Sequence, residues 1–141
     1  MRIALLSLAL ALAVGACTPP PTGAPPQTAP AAETPAIVIE TPMPNARVTS
    51  PLRVEGTAPG DWFFEAVFPA QLRGADGELI AEAPAQAQRD WMTEAPVPYV
   101  AELRFSVAEE TPATLVLKED MPSGLPGQRE ISVAVVLLPA P

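Results

Sequence analysis

The sequence predicts an all-β domain, a sandwich of about seven short strands over residues 37–138. Three observations carry this. From Ile37 onward, apolar and polar residues alternate with a period of two in one short run after another. The runs are separated by turn-forming clusters such as Pro42-Met43-Pro44-Asn45, Pro59-Gly60-Asp61 and Asp76-Gly77. No stretch holds a convincing 3.6-residue apolar period, which speaks against helices.

Before the domain stand two segments of different character. Residues 1–16 have the three parts of a secretory signal: Arg2, an apolar core from Ile3 to Val14 interrupted by Ser7, and the small pair Gly15-Ala16. That core is shorter than the ~20 residues of a spanning helix. Val14-Gly15-Ala16-Cys17 resembles the lipobox of bacterial lipoproteins, which implies a lipid on Cys17 and attachment to a membrane through it. Acyl chains contribute ~0.8 kcal/mol per buried methylene, so two or more hold a protein stably. The competing reading is an ordinary secreted protein, and it leaves one unpaired thiol in an exported chain. Thr18 in place of Asp resembles an outer-membrane address in a host with two membranes. Residues 18–35 include seven prolines and no large apolar side chain, so 17–36 is expected to be a lipidated Cys followed by a disordered Pro-rich tether.

The strands follow in order. Ile37–Glu40 opens the domain, and Thr41–Ala46 breaks it. In Pro51–Thr57, Leu52 and Val54 point inward and Arg53 and Glu55 outward. Trp62–Leu72 is expected to be one long strand, with Trp62, Phe64, Ala66 and Phe68 on one face. Asp76-Gly77 is a hairpin signal. Ala81–Gln88 is expected to be a strand or an extended edge despite Pro84. Tyr99–Val107 alternates most clearly, which places Phe105 in the centre of the core, facing Phe64 and Phe68. Thr114–Lys118 and Ile131–Leu138 complete the set.

Several of these segments together resemble a known family. Ser50-Pro51-Leu52-Arg53-Val54-Glu55-Gly56-Thr57-Ala58, Trp62-Phe63-Phe64-Glu65-Ala66, Asp90-Trp91-Met92-Thr93, Lys118-Glu119-Asp120 and Pro122-Ser123-Gly124 look like the immunoglobulin-like domain of bacterial spore-germination proteins. The resemblance implies an immunoglobulin-like sandwich on an exported or lipid-anchored bacterial protein. It implies no catalytic activity and no particular ligand.

The formal charge of −8, which becomes −9 when Arg2 leaves with the signal, argues against a nucleic-acid partner. The chain has no His and one Cys, which removes Ser-His and Cys-His catalysis and imidazole metal sites. No cofactor or metal is expected. Trp91 has two readings, core residue or recognition aromatic. With Asp90, Glu119, Asp120 and Ser123 it makes the candidate contact surface. The function expected is therefore a non-catalytic envelope lipoprotein, an interaction module for an envelope protein or cell-wall material. The alternative is a small-ligand-binding or carboxylate-dependent hydrolytic domain, for which Glu65 is the candidate acid.

Overall fold

The computed structural model describes residues 36–121 and 128–141. The signal segment, Cys17, the tether and Ser123 lie outside the described residues. Eight strands form: β1 (Val38–Thr41), β2 (Ala46–Val48), β3 (Leu52–Ala58), β4 (Val67–Gly74), β5 (Leu79–Ala87), β6 (Val97–Leu103), β7 (Thr111–Lys118) and β8 (Glu130–Leu137). A single 3-10 turn, Gly60–Trp62, follows β3. The expected all-β class holds, with one strand more than the alternation showed.

The strands hydrogen-bond in the order β1-β3-β6-β5-β4-β7-β8-β2. Every pairing is antiparallel except β2 with β8. The ladder is narrowest between β5 and β6, where Gln86 pairs with Val100 and Ala87 with Tyr99. There the sheet curls over on itself. Leu52, Val54, Tyr99, Ala101 and Leu103 then meet Phe68, Leu72, Leu115, Leu117 and Leu137 in one core. These are the residues that a period of two turns inward, and their burial is what fixes the register.

The extra strand is β2. It is three residues long, too short for alternation to be visible, and it takes its order from β8: Ala46, Arg47 and Val48 pair with Val135, Val136 and Leu137. At β5 the strand reading holds, with the strand lying between β4 and β6. Its Pro84 stands directly opposite Pro69 of β4. Neither proline has an N–H, so this must be a non-hydrogen-bonded pair, and neither residue removes a bond from the β4–β5 ladder. On the other side of Pro69, the β4–β7 ladder starts only at Ala70.

Two expectations need correction. Trp62–Leu72 is not one strand. Trp62 belongs to the 3-10 turn, and Phe64-Glu65-Ala66-Val67 forms a tight turn before β4. Trp62 and Phe63 are both buried, whereas Phe64 is 47% exposed. Alternation fails here because Glu65 and Ala66 take positive φ, 51° and 68°. The second correction is Phe105. β6 stops at Leu103, opposite Leu52, because the chain before Leu52 bends at Ser50-Pro51 and offers no further ladder. The Phe105 N–H bonds the Ser50 hydroxyl instead, at 3.0 Å, and its ring is half-buried at the core margin.

The centre of the core is Phe68. Its ring meets Phe63 and Tyr99 edge-on at centroid separations of 5.0 Å each, and Trp62 at 6.0 Å. Tyr99 turns its hydroxyl to the Val38 carbonyl at 2.9 Å, which ties β1 across β3 to β6. Gly56 lies under that bond: a Cβ there would stand 2.7 Å from the Tyr99 hydroxyl and nearer still to the Val38 oxygen. Burial pushes the Tyr99 phenol well above its ordinary value of 10.

In denaturant melts, Phe68→Ala should therefore lose ~3–5 kcal/mol, the range for a large buried aromatic. Phe105→Ala should lose less than half as much. Equal losses would show that the margin of β6 is packed as tightly as the centre.

Candidate functional site

Three connections come together at one end of the sandwich: 59–66 after β3, 88–96 after β5, and, of the connection after β7, the described residues 119–121 and 128–129. The 3-10 turn is their common neighbour. On one side Gly60 lies so near the Trp91 and Thr93 carbonyls that a Cβ would collide with both. On the other side the Asp120 N–H donates to the Trp62 carbonyl at 3.0 Å. The structure thus brings Trp91 and Asp120, 29 positions apart along the chain, to the same turn, whose Trp62 side chain is buried.

Arg129 braces this end. Its guanidinium holds the Glu119 carboxylate with two parallel bonds, Nε to Oε2 at 3.0 Å and an NH2 to Oε1 at 2.6 Å. The same NH2 group reaches Asp61 at 2.9 Å. Its Cζ lies 5.4 Å from the Trp62 ring centroid, a cation–π distance. One arginine therefore fastens the start of β8 to the end of β7 and to the 3-10 turn. Glu119 is 7% exposed, a buried clamp residue rather than a surface contact. The bonds from Arg129 draw its carboxyl below the usual range, and burial opposes them without prevailing.

The remaining candidates sit on the connection 88–96. Asp90 is exposed and accepts the Met92 N–H at 3.0 Å; Thr93 accepts the Ala95 N–H at 3.2 Å. Arg89 donates to the Pro96 carbonyl across the base of this loop. These local bonds set a sequence of turns that requires no regular ladder. Trp91 resolves between its two readings: it is half-buried and packs against the core margin. Met92 beside it is 76% exposed.

Sequence reasoning missed Phe64, Met92, Asp61 and Arg129. Phe64 was expected in the core, and no turn-forming residue marked its turn. Arg129 meets Asp61 and Trp62 across more than 65 positions, a pairing that no local pattern signals. Among the described residues, no three His, Cys, Asp or Glu side chains gather to hold a metal. Glu65, the candidate acid, is exposed on the turn tip. Among the described residues, the outer face of the sandwich carries open grooves of about 410 and 350 Å³ that meet at Ala83 and Pro84.

A family model for the immunoglobulin-like domain of bacterial spore germination matches residues 36–124, from the start of β1 past the end of β7. No curated protein and no solved structure matches the chain significantly.

Two outcomes follow from this geometry. Glu119 has a depressed native value, so its contribution is complete above its ordinary value of 4.5 and fades as the pH falls below it. Glu119→Gln should cost about 2 kcal/mol at neutral pH, and the gap to the wild type should close as melts are taken to lower pH. A constant gap would remove Glu119 as the titrating group. Separately, Ala66→Gly should stabilise the chain by about 0.5–1 kcal/mol by relieving the positive φ; a loss on thermal melting would contradict that geometry.

Proposed function

Because the chain belongs to the family of immunoglobulin-like domains of bacterial spore germination, we propose that it is a non-catalytic interaction module presented at the bacterial envelope. The loop end carries the contact surface, for an envelope protein or cell-wall material. A lipid on Cys17 is the membrane anchor, and residues 18–35 are the spacer.

The observation that carries this reading is the exposure of Phe64 and Met92 on braced connections. Both are large apolar side chains left in water, and Met92 adjoins the half-buried Trp91 in sequence. A partner that covers them gains their desolvation, about 25 cal/mol for each Å² of apolar surface removed from water. The bracing matters as much. Connections already fastened by Arg129, Gly60 and the Asp90 turn lose little entropy on binding. Family membership supports a non-catalytic module in general, and the signal-like segment with its lipobox supports the envelope.

The test has two arms. Labelled fatty acid should enter the wild type and not Cys17→Ser; equal labelling would overturn the anchor. A photo-crosslinking residue at position 64 or 92 should trap a discrete partner in intact cells, while one at position 104, on an exposed side chain near the other end, should not. Crosslinks at 104 alone would move the contact surface away from the loop end.

A further inference from the structure

The groove of about 410 Å³ on the outer face of β4 and β5 is a separate feature. Val67, Pro69 and Pro84 give it an apolar floor. The two prolines form the opposed pair described above, so their rings lie side by side at a cross-strand spacing of ~4.5–5.5 Å. Phe68 also borders the groove but is only 1% exposed, so no aromatic face is offered on which a sugar ring could stack. That favours a peptide over a glycan.

Two carboxylates stand along the groove. Glu82 is the register partner of Gln71. Asp120 falls opposite Val67 when the β4–β7 register is continued beyond Leu117. Gln71 and Val67 are four residues apart on β4, roughly 13 Å at ~3.3 Å per residue, and β5 and β7 flank β4 on opposite sides, roughly 10 Å apart, so the two carboxylate-bearing residues lie roughly 16 Å apart on a diagonal. Glu82 is held in place: the Gln71 amide donates to its Oε2, and Arg73 donates to the Gln71 oxygen at 2.7 and 3.1 Å. Among the described residues, no Lys or Arg makes a salt bridge to Glu82 or Asp120. The adjacent cation, Lys118, reaches the other way to Glu130, at 3.8 Å.

We infer that this groove seats an extended basic segment of a partner protein. Two Lys or Arg side chains four residues apart reach Glu82 and Asp120, and an apolar side chain midway between them rests on Pro69 and Pro84. The spacing follows from geometry. In an extended chain, positions one, three and five share a face and span roughly 13 Å, and the long basic side chains cover the rest of the diagonal. The long basic side chains lay their methylene stems on the apolar floor and leave their charged heads at its ends. This inference does not depend on the loop-end surface.

The experiment titrates the isotope-labelled full chain, in detergent micelles, with the acetylated and amidated peptide Lys-Ala-Val-Ala-Lys. Amide shifts should change and saturate at Val67, Glu82 and Asp120. Glu82→Gln and Asp120→Asn should each weaken binding by about three- to fivefold, in line with single exposed ion pairs. Phe64→Ala should leave it unchanged, which separates this groove from the loop-end surface. The peptide Glu-Ala-Val-Ala-Glu should not bind, and Lys-Lys-Ala-Val-Ala should bind more weakly than the spaced form. Equal binding of the acidic peptide, shifts confined to Phe64 and Met92, or carboxylate variants without effect would each overturn the inference. So would a chitin oligosaccharide that shifts the same three amides more strongly than the basic peptide.

Discussion

Phe68 is the contact on which the rest of the arrangement depends. It sits on the first inward position of β4 and touches Tyr99 of β6 from the opposite layer. The curl of the sheet closes on that contact. Phe68 also receives Phe63 and Trp62, which hold the 3-10 turn down on the core. Trp62 in turn is the surface over which Arg129 lies. A continuous line of packed rings therefore runs from the core centre to the clamp at the loop end. With no second cysteine for a disulfide, aromatic packing is what ties the two layers at this level.

Prolines shape the periphery by removing donors at chosen places. The bend at Ser50-Pro51 ends the β3–β6 ladder and leaves Phe105 to a side-chain bond. Pro69 delays the start of the β4–β7 ladder by one residue. Pro84 opposite it sits where β5 has parted from β6, and a missing N–H there blunts a strand edge that would otherwise invite pairing. The same pair supplies an outward apolar floor. One choice of residue thus limits indiscriminate edge pairing and creates a specific surface beside it.

The alternation made most of the fold legible in the sequence. Leu52 and Val54, Tyr99, Ala101 and Leu103, and Leu115 with Leu117 all face inward as a period of two requires. Asp76-Gly77 marked its hairpin, with Gly77 at φ 83°. The reading failed where the backbone left the strand region without a turn-forming residue to announce it. Glu65 and Ala66 are poor candidates for positive φ, yet closing the Phe64–Val67 turn demands it, and the ring expected inside is placed outside. Phe105 is a related case: the side-chain pattern continues past Leu103, but the partner backbone bends at Ser50-Pro51 and the ladder stops. Of the candidate contact residues, sequence reasoning placed Asp90 and Trp91 on a polar connection and Asp120 in the loop after the Thr114–Lys118 strand, without a signal that the two meet. Glu119 was legible as a charge and not as a clamp, because its partner is fixed only by the pairing of β7 with β8.

Asp120 joins the two surfaces. Its backbone N–H belongs to the loop end, bonded to the Trp62 carbonyl, while its side chain lines the groove over Pro69 and Pro84. The residue before it, Glu119, is held in the Arg129 clamp. Backbone position at Asp120 is therefore set from both sides by groups that are themselves packed on Phe68. A carboxylate on a free loop would have to be ordered by its ligand, at a cost in conformational entropy; here the fold has already ordered it. The acidic charge of the chain, which acts elsewhere as a solubilising surface, is at this place fixed at a defined distance from a second carboxylate on β5. That fixed spacing is what allows a surface without a deep pocket to discriminate between extended partners.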